Sequence, residues 1–349
     1  LAIEQIRAAS RPCLIVGHGA RAAMPSVLAL AEALLCPVVT TFKGKGLISD
    51  HHALGCGVLG RSGTPIASWF MNEADLLVVL GASSSNHTGI DPKKPIVQID
   101  RDPMALGQQH AVTVPVHGGI GPSAQRIRAA LEERGAASED HTEEIAERWR
   151  IWRAEKAVRL AEERGRGIAS VAVFESLARV LPEDAILCVD VGNNTYSFGR
   201  YFEVKHQVVL MSGYLGSIGF ALPAALGAWA ATKEKETPWH GRRVISISGD
   251  GGLAQYLAEL TTLVAHGMNV VHVVLNNGEL GKISKEQRAA ELDVWQTELC
   301  NPSFAAVATS CGALGIVVEQ SADLDDALQR ALAHDGPALV EVITDAGLV

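Results

Sequence analysis

Asp250 stands between two glycines at the end of the apolar run Val244-Ile245-Ser246-Ile247-Ser248, and 24 residues separate the tripeptide Gly249-Asp250-Gly251 from Asn276-Asn277. The asparagine pair ends a second apolar run, Val270 to Leu275. Both runs read as buried parallel strands, and Leu253 to His266 has the length and composition of the crossover helix that parallel strands require. A unit of this kind brings Asp250 and Asn277 to one sheet edge. A carboxylate, a side-chain amide oxygen and a nearby backbone carbonyl are hard oxygen donors; they suit magnesium better than zinc and leave coordination positions for water or phosphate oxygens. The flanking glycines let backbone N–H groups approach phosphates where the following helix begins. Either half alone is also an ordinary turn of a nucleotide-binding fold. The pair at this distance points to a divalent-metal and diphosphate site.

The elements that must position these residues form two α/β halves. In the first, Cys13-Leu14-Ile15-Val16, Val38-Val39-Thr40, Leu76 to Leu80 and Ile96 to Ile99 read as strands, and Pro25 to Leu35 as a helix. The second opens near Ser170, carries the metal motif and closes with the strand Ala338 to Ile343. Alternation of this kind predicts two doubly wound parallel-sheet domains, α/β in class. The expected boundaries are 1–135 for the first domain, 136–168 for a charged helical linker and 169–349 for the second. Within the linker, Ile145, Trp149 and Trp152 recur at partly helical spacing among Glu and Arg, giving a solvated helix with one apolar face.

Composition narrows the function. The chain has 349 residues, enough for two domains of ordinary size. Its formal charge of −9 and lack of a Lys/Arg cluster argue against nucleic-acid binding. No run is long and apolar enough to span a membrane. The charges within Leu1 to Arg7 argue against a signal peptide, and the residues before Val349 do not form an amphipathic tail. The cytoplasm is therefore the expected location. The six cysteines, Cys13, Cys36, Cys56, Cys188, Cys300 and Cys311, include no Cys-x-x-Cys pair and are expected reduced and buried.

The Gly-Asp-Gly to Asn-Asn pattern resembles the motif of the thiamine diphosphate enzyme family. The resemblance implies Mg²⁺ held by the side chains of Asp250 and Asn277 and by the backbone carbonyl of Glu279. It also implies cofactor contacts from Gly249, Gly251 and Gly252. Gly213 to Pro223 resembles the family's pyrimidine-binding turn, with Gly216 and Ile218 at the places that hold the ring and force the cofactor's bent shape. Asp190-Val191-Gly192-Asn193-Asn194 falls where the family has a further loop near the diphosphate, so Gly192, Asn193 and Asn194 are carried over as cofactor contacts, although the commoner Gly-Gln-His form is absent. Leu280 to Gln287 is similar to the pyruvate oxidase version of the segment over the reacting carbon. Ile283 and Glu286 match its substrate-lining residues and, with Ile218, are the expected catalytic group. Lys282 replaces the aromatic residue usual there. It either meets a second carboxylate or phosphate on the substrate or points to solvent, just as Glu286 is either catalytic or a solvated helix-face charge.

The first half resembles the central domain of the pyruvate oxidase and acetolactate synthase branch, which holds FAD in the oxidases. That implies flavin contacts near Gly60, Arg61, Ser62, Gly81, Ser83 and Asp100, against the alternative of a purely structural domain. Gly17-His18-Gly19-Ala20-Arg21-Ala22 also resembles a dinucleotide fingerprint ending in alanine, and a nicotinamide-dependent dehydrogenase is the third reading.

Taken together, the resemblance implies a thiamine diphosphate- and Mg²⁺-dependent enzyme acting on a small 2-oxo acid by pyruvate oxidase-like decarboxylation. The alternatives are an acetolactate synthase-type carboligase and a non-catalytic partner chain. Family chains carry a preceding pyrimidine-binding domain with a glutamate that activates the cofactor. The sequence from Leu1 starts after that domain, so the chain is expected to be a fragment, inactive alone. Family sites form between chains, which implies a homodimer or homotetramer for the intact enzyme.

Overall fold

The computed structural model describes residues 1–82, 85, 87–162 and 165–347. It divides into two compact units, Leu1–Glu155 with Glu203–Lys205, and Lys156–Phe202 with His206–Val349. Each unit is built on one six-stranded, all-parallel sheet.

The first sheet contains β1 (Pro12–Val16), β2 (Val38–Thr40), β3 (Gly55–Val58), β4 (Leu76–Leu80), β5 (Ile96–Asp100) and β6 (Val114–His117), in the order β3-β2-β1-β4-β5-β6. Every residue of β1 to β4 is buried, as strands covered on both faces must be. The strand order reverses between β1 and β4, where the turns after the two strands meet backbone to backbone. Gly17 N–H donates to the Leu80 carbonyl at 2.9 Å and Gly19 N–H to the Gly81 carbonyl at 3.0 Å. A Cβ on Gly17 would lie 2.2 Å from the Gly81 oxygen, so only glycine allows this approach. The helix Thr142–Leu160 occupies much of the segment expected as a linker. Its apolar face is buried through Ile145, Trp149 and Trp152, and Trp149 Nε1 donates to the Gly55 carbonyl at 2.8 Å.

The second sheet contains β7 (Ile186–Val189), β8 (Val208–Met211), β9 (Val244–Gly249), β10 (Val271–Asn276), β11 (Leu314–Val318) and β12 (Ala338–Ile343), ordered β11-β12-β10-β9-β7-β8. Here the order reverses between β7 and β9. Ligands of doubly wound sheets bind at the carboxyl ends of the strands at such a switch point, and Asp190 and Asp250 directly follow β7 and β9. The pairing of Leu275 with Gly249 places Asn277 beside Asp250. One expectation is corrected: the crossover after β9 is not a single helix. It comprises Asp250–Ala254 and Glu259–Ala265, separated by turns in which Tyr256 N–H bonds the Leu253 carbonyl and Glu259 N–H the Tyr256 carbonyl. The Tyr256 ring at this break packs so close to Gly219 that a Cβ there would lie 2.6 Å from it. Among the described residues, no helix is long and apolar enough to cross a membrane.

The cysteines also depart from expectation. Cys13, Cys36, Cys56 and Cys188 are buried free thiols, with burial pushing the Cys13 and Cys188 pKa values up to about 12, but Cys300 is exposed and Cys311 partly so. Cys300 lies in the irregular stretch before the helix Phe304–Ser310, where no strand or helix face covers it.

Candidate active site

Asp250 is nearly fully buried at the first position of its short helix, with Gly249 as the extended residue before it. Its Oδ1 accepts the Gly251 N–H at 2.9 Å. Its Oδ2 accepts Gly278 N–H at 2.8 Å, Asn301 Nδ2 at 2.9 Å and Asn277 N–H at 3.3 Å. Burial pushes the carboxyl pKa up, and these donors pull against that shift. The Asn277 side-chain oxygen accepts the Glu279 N–H at 3.0 Å, which closes the turn after β10. Asp250, Asn277 and Glu279 all line one cleft of about 350 Å³ in the second unit. Their hard oxygens fit a small divalent cation. Among the described residues, no group of three or more His, Cys, Asp or Glu side chains could hold a metal, so a metal here would rest on a mixed carboxylate, amide and carbonyl set.

The opposite wall comes from the loop after β7. Gly192 has φ 144°, a conformation that favours glycine, and precedes the helix Asn193–Tyr201. Asn193 and Asn194 both line the cleft, but they differ in partners. Asn194 Nδ2 donates to the Asp190 carbonyl at 3.1 Å, whereas the buried Asn193 Nδ2 has no partner. A buried amide donor without an acceptor is costly, and this one packs against Gly281 at the cleft, 2.5 Å from where a Cβ there would stand. That orphan donor, with Gly249, Gly251 and Gly252 lining the same cleft, fits an anionic cofactor.

Asp190 was legible only as the start of its loop, yet it organises the site. Its Oδ1 accepts Val191 N–H at 2.7 Å and Gly219 N–H at 2.8 Å. Its Oδ2 lies 2.6 Å from where a Cβ on Gly252 would stand. The carboxylate thus joins the β7 loop, the turn bearing Gly216 and Ile218, and the helix after β9. Burial raises its pKa against four backbone donors. Gly216 takes a left-handed φ of 64°, and Ile218 lines the cleft near Leu280: a Cβ on Gly251 would sit 3.7 Å from Ile218 Cδ1 and 2.9 Å from Leu280 Cδ2.

The helix Gly281–Ala289 presents Lys282 and Ile283 to the cleft, while Glu286 lies one turn on and does not line it. The Glu286 carboxylate pairs instead with Lys282 Nζ, which also sits 5.0 Å from the centre of the Tyr196 ring. Burial, the largest single influence, works against the Lys282 charge, but Glu286 and Tyr196 together hold the amine above its ordinary pKa.

The residues carried over as flavin contacts lie in the first unit. Gly60 has φ 105°, and its Cα packs on the loop after β4, where Arg61 N–H donates to the His87 carbonyl at 3.1 Å. Ser62 follows in the same turn. Gly81 is required by packing, since a Cβ would meet Ala20 N at 2.6 Å. Asp100 Oδ1 accepts the Asp102 N–H at 2.9 Å, and Ser83 lies outside the described residues. With the Gly17 and Gly19 N–H groups committed to β4 and its turn, these two are not offered to a phosphate. The nicotinamide reading loses its main support, and a flavin enters no step below.

Residues 190–342 match the domain described as "Thiamine pyrophosphate enzyme, C-terminal TPP binding domain", and residues 1–127 match "Thiamine pyrophosphate enzyme, central domain". The chain belongs to the thiamine pyrophosphate enzymes. Among the relatives of this thiamine pyrophosphate enzyme chain, YdaP of Bacillus subtilis, named as a thiamine pyrophosphate-containing protein, is 31% identical over 97% of this chain and 58% of its own length. The acetolactate synthase large subunit of Parasynechococcus marenigrum is 31% identical over 98% of this chain and 55% of its own, and that of Corynebacterium glutamicum 31% over 98% and 56%. The chain spans a little over half the length of these relatives.

Proposed function

We propose that this chain supplies the Mg²⁺ and diphosphate half of a thiamine diphosphate-dependent carboligase, which decarboxylates one 2-oxo acid and joins the remainder to a second. The observation that carries the reading is the convergence of Asp250, Asn277 and the unpartnered Asn193 amide on one cleft at the strand-order reversal of the second sheet. The names of the acetolactate synthase relatives support the carboligase over the oxidase. The placement of Glu286 outside the cleft lining, paired with Lys282, also weighs against an oxidase-like role for it.

When bound, the thiazolium supplies the electron sink that decarboxylation of a 2-oxo acid needs. Asp250, Asn277 and the Glu279 carbonyl would hold Mg²⁺, and Asn193 Nδ2 would donate to a diphosphate oxygen. Gly216 and Ile218 would shape the pyrimidine end, with Ile218, Leu280 and Ile283 excluding water from the reacting centre. Tyr214, Leu215, Leu292 and Trp295 leave large apolar side chains exposed on segments flanking this lining. In this reading they are covered by a further domain or a second chain in the assembled dimer or tetramer, whose location is the cytoplasm.

The test is product analysis of the purified intact protein with pyruvate, thiamine diphosphate and Mg²⁺. Acetolactate as the main product supports the proposal. Acetaldehyde, or acetate with reduction of an added acceptor, moves the reading to a decarboxylase or an oxidase. Cofactor binding with no turnover in the assembled protein favours a non-catalytic partner chain.

A further inference from the structure

Behind Asp250 runs a hydrogen-bond relay that ends at a second buried carboxylate. Glu341, 2% exposed on β12, accepts Asn276 Nδ2 on Oε1 at 2.8 Å; its Oε2 accepts Ser303 Oγ at 3.2 Å and Ala305 N–H at 2.9 Å. Asn276 Oδ1 accepts Asn301 Nδ2 at 3.0 Å, and the same Asn301 nitrogen donates to Asp250 Oδ2 at 2.9 Å. The network fixes the amide orientations. An amide NH₂ has two hydrogens and a carboxylate accepts only, so Glu341 turns the Asn276 NH₂ toward itself and the Asn276 oxygen toward Asn301. Both Asn301 hydrogens are then spent, one on Asn276 and one on Asp250.

The consequence lies at Asp250. Among the described residues, its Oδ2 takes three donors, from Gly278, Asn301 and Asn277, whereas Oδ1 takes only the Gly251 N–H. We propose that Asn301, oriented by Glu341 through Asn276, is a positioning residue that pins Asp250 Oδ2 and thereby presents Oδ1 to the metal. Groups that orient a metal ligand from behind commonly set its affinity. Asn301 is absent from the cleft lining and lies 51 residues from Asp250, so it acts through the aspartate. The proposal rests on Asp250 being a metal ligand.

The test follows Mn²⁺ binding to the intact protein by electron paramagnetic resonance with thiamine diphosphate present, alongside melting temperatures with and without metal. Asn301→Ala is expected to bind Mn²⁺ about 10- to 100-fold more weakly than wild type, with a smaller metal-dependent rise in melting temperature. Loss of a merely structural contact would instead lower both melting temperatures equally and leave the affinity unchanged. If Asn301→Ala does not fold, Asn301→Ser and Asn276→Ser, which break the same relay, carry the same expectation. Wild-type Mn²⁺ affinity in any folded member of this set overturns the proposal. Undiminished Mn²⁺ binding by Asp250→Ala would instead remove the metal-ligand reading itself, and the proposal with it.

Discussion

Asp190 accepts the backbone N–H of Gly219 at 2.8 Å across 29 residues of chain, tying the loop after β7 to the turn bearing Gly216 and Ile218. Replacing Asp190 by Ala leaves the buried Gly219 N–H and the half-buried Val191 N–H without their acceptor. Unpaired buried donors cost about 1–3 kcal/mol each, and the variant is expected to lose about 2–4 kcal/mol in urea unfolding. A loss below about 0.5 kcal/mol, the range of ordinary surface changes, would deny Asp190 this anchoring role.

His272 gives the fold a pH dependence. It is fully buried on β10, with Nε2 2.9 Å from Ser248 Oγ and Nδ1 unpartnered, and burial pushes its pKa from 6.5 down to about 3. Between these values the unfolded chain binds a proton that the native state refuses. Stability is therefore full above about 6.5 and falls as the pH drops toward 3, by up to about 1.4 kcal/mol per pH unit. His272→Gln should flatten this decline when unfolding free energies are compared at pH 7 and pH 5. An identical decline in the two proteins would assign the acid sensitivity to other groups.

Lys282 is expected to matter for substrate more than for stability. Its pair with Glu286 spans one exposed helix turn, and such pairs contribute only about 0.3–0.5 kcal/mol. Lys282→Met should leave the melting temperature within about 2 °C. It should raise KM several-fold for a 2-oxo acid with a second carboxylate while sparing pyruvate. Equal effects on both substrates would point the lysine away from substrate recognition.

Much of this site could be read from the chain because its parts are local. Asp250 and Asn277 each follow a largely apolar, buried strand run, and parallel pairing makes their neighbourhood a matter of spacing. The two sheets were legible for the same reason. Asn301 was not, since its contact depends on which strand lies beside β10, and nothing near it but an Asn-Pro before the Ser303-capped helix marks it. Asp190 carried a readable signal, a carboxylate at the end of an apolar strand like Asp250. Its role, however, is set by the turn it captures and by the missing Cβ of Gly252, both distant in sequence. The break in the crossover after β9 carries no Gly or Pro between Gln255 and Ala258, so nothing local in the sequence marks it. Glu286 matched a pattern, and only the nearness of Lys282 on the same helix shows which partner it has.

The most direct measurement is calorimetric titration of thiamine diphosphate into the intact protein with Mg²⁺ or with EDTA, for wild type and Asp250→Ala. The wild type is expected to bind only with the metal, and the variant to lose about two orders of magnitude or more in affinity, as removal of a ligand should exceed the 10- to 100-fold cost of disturbing a group behind one. Metal-independent binding by the wild type, or undiminished binding by Asp250→Ala, would contradict the assignment of this cleft.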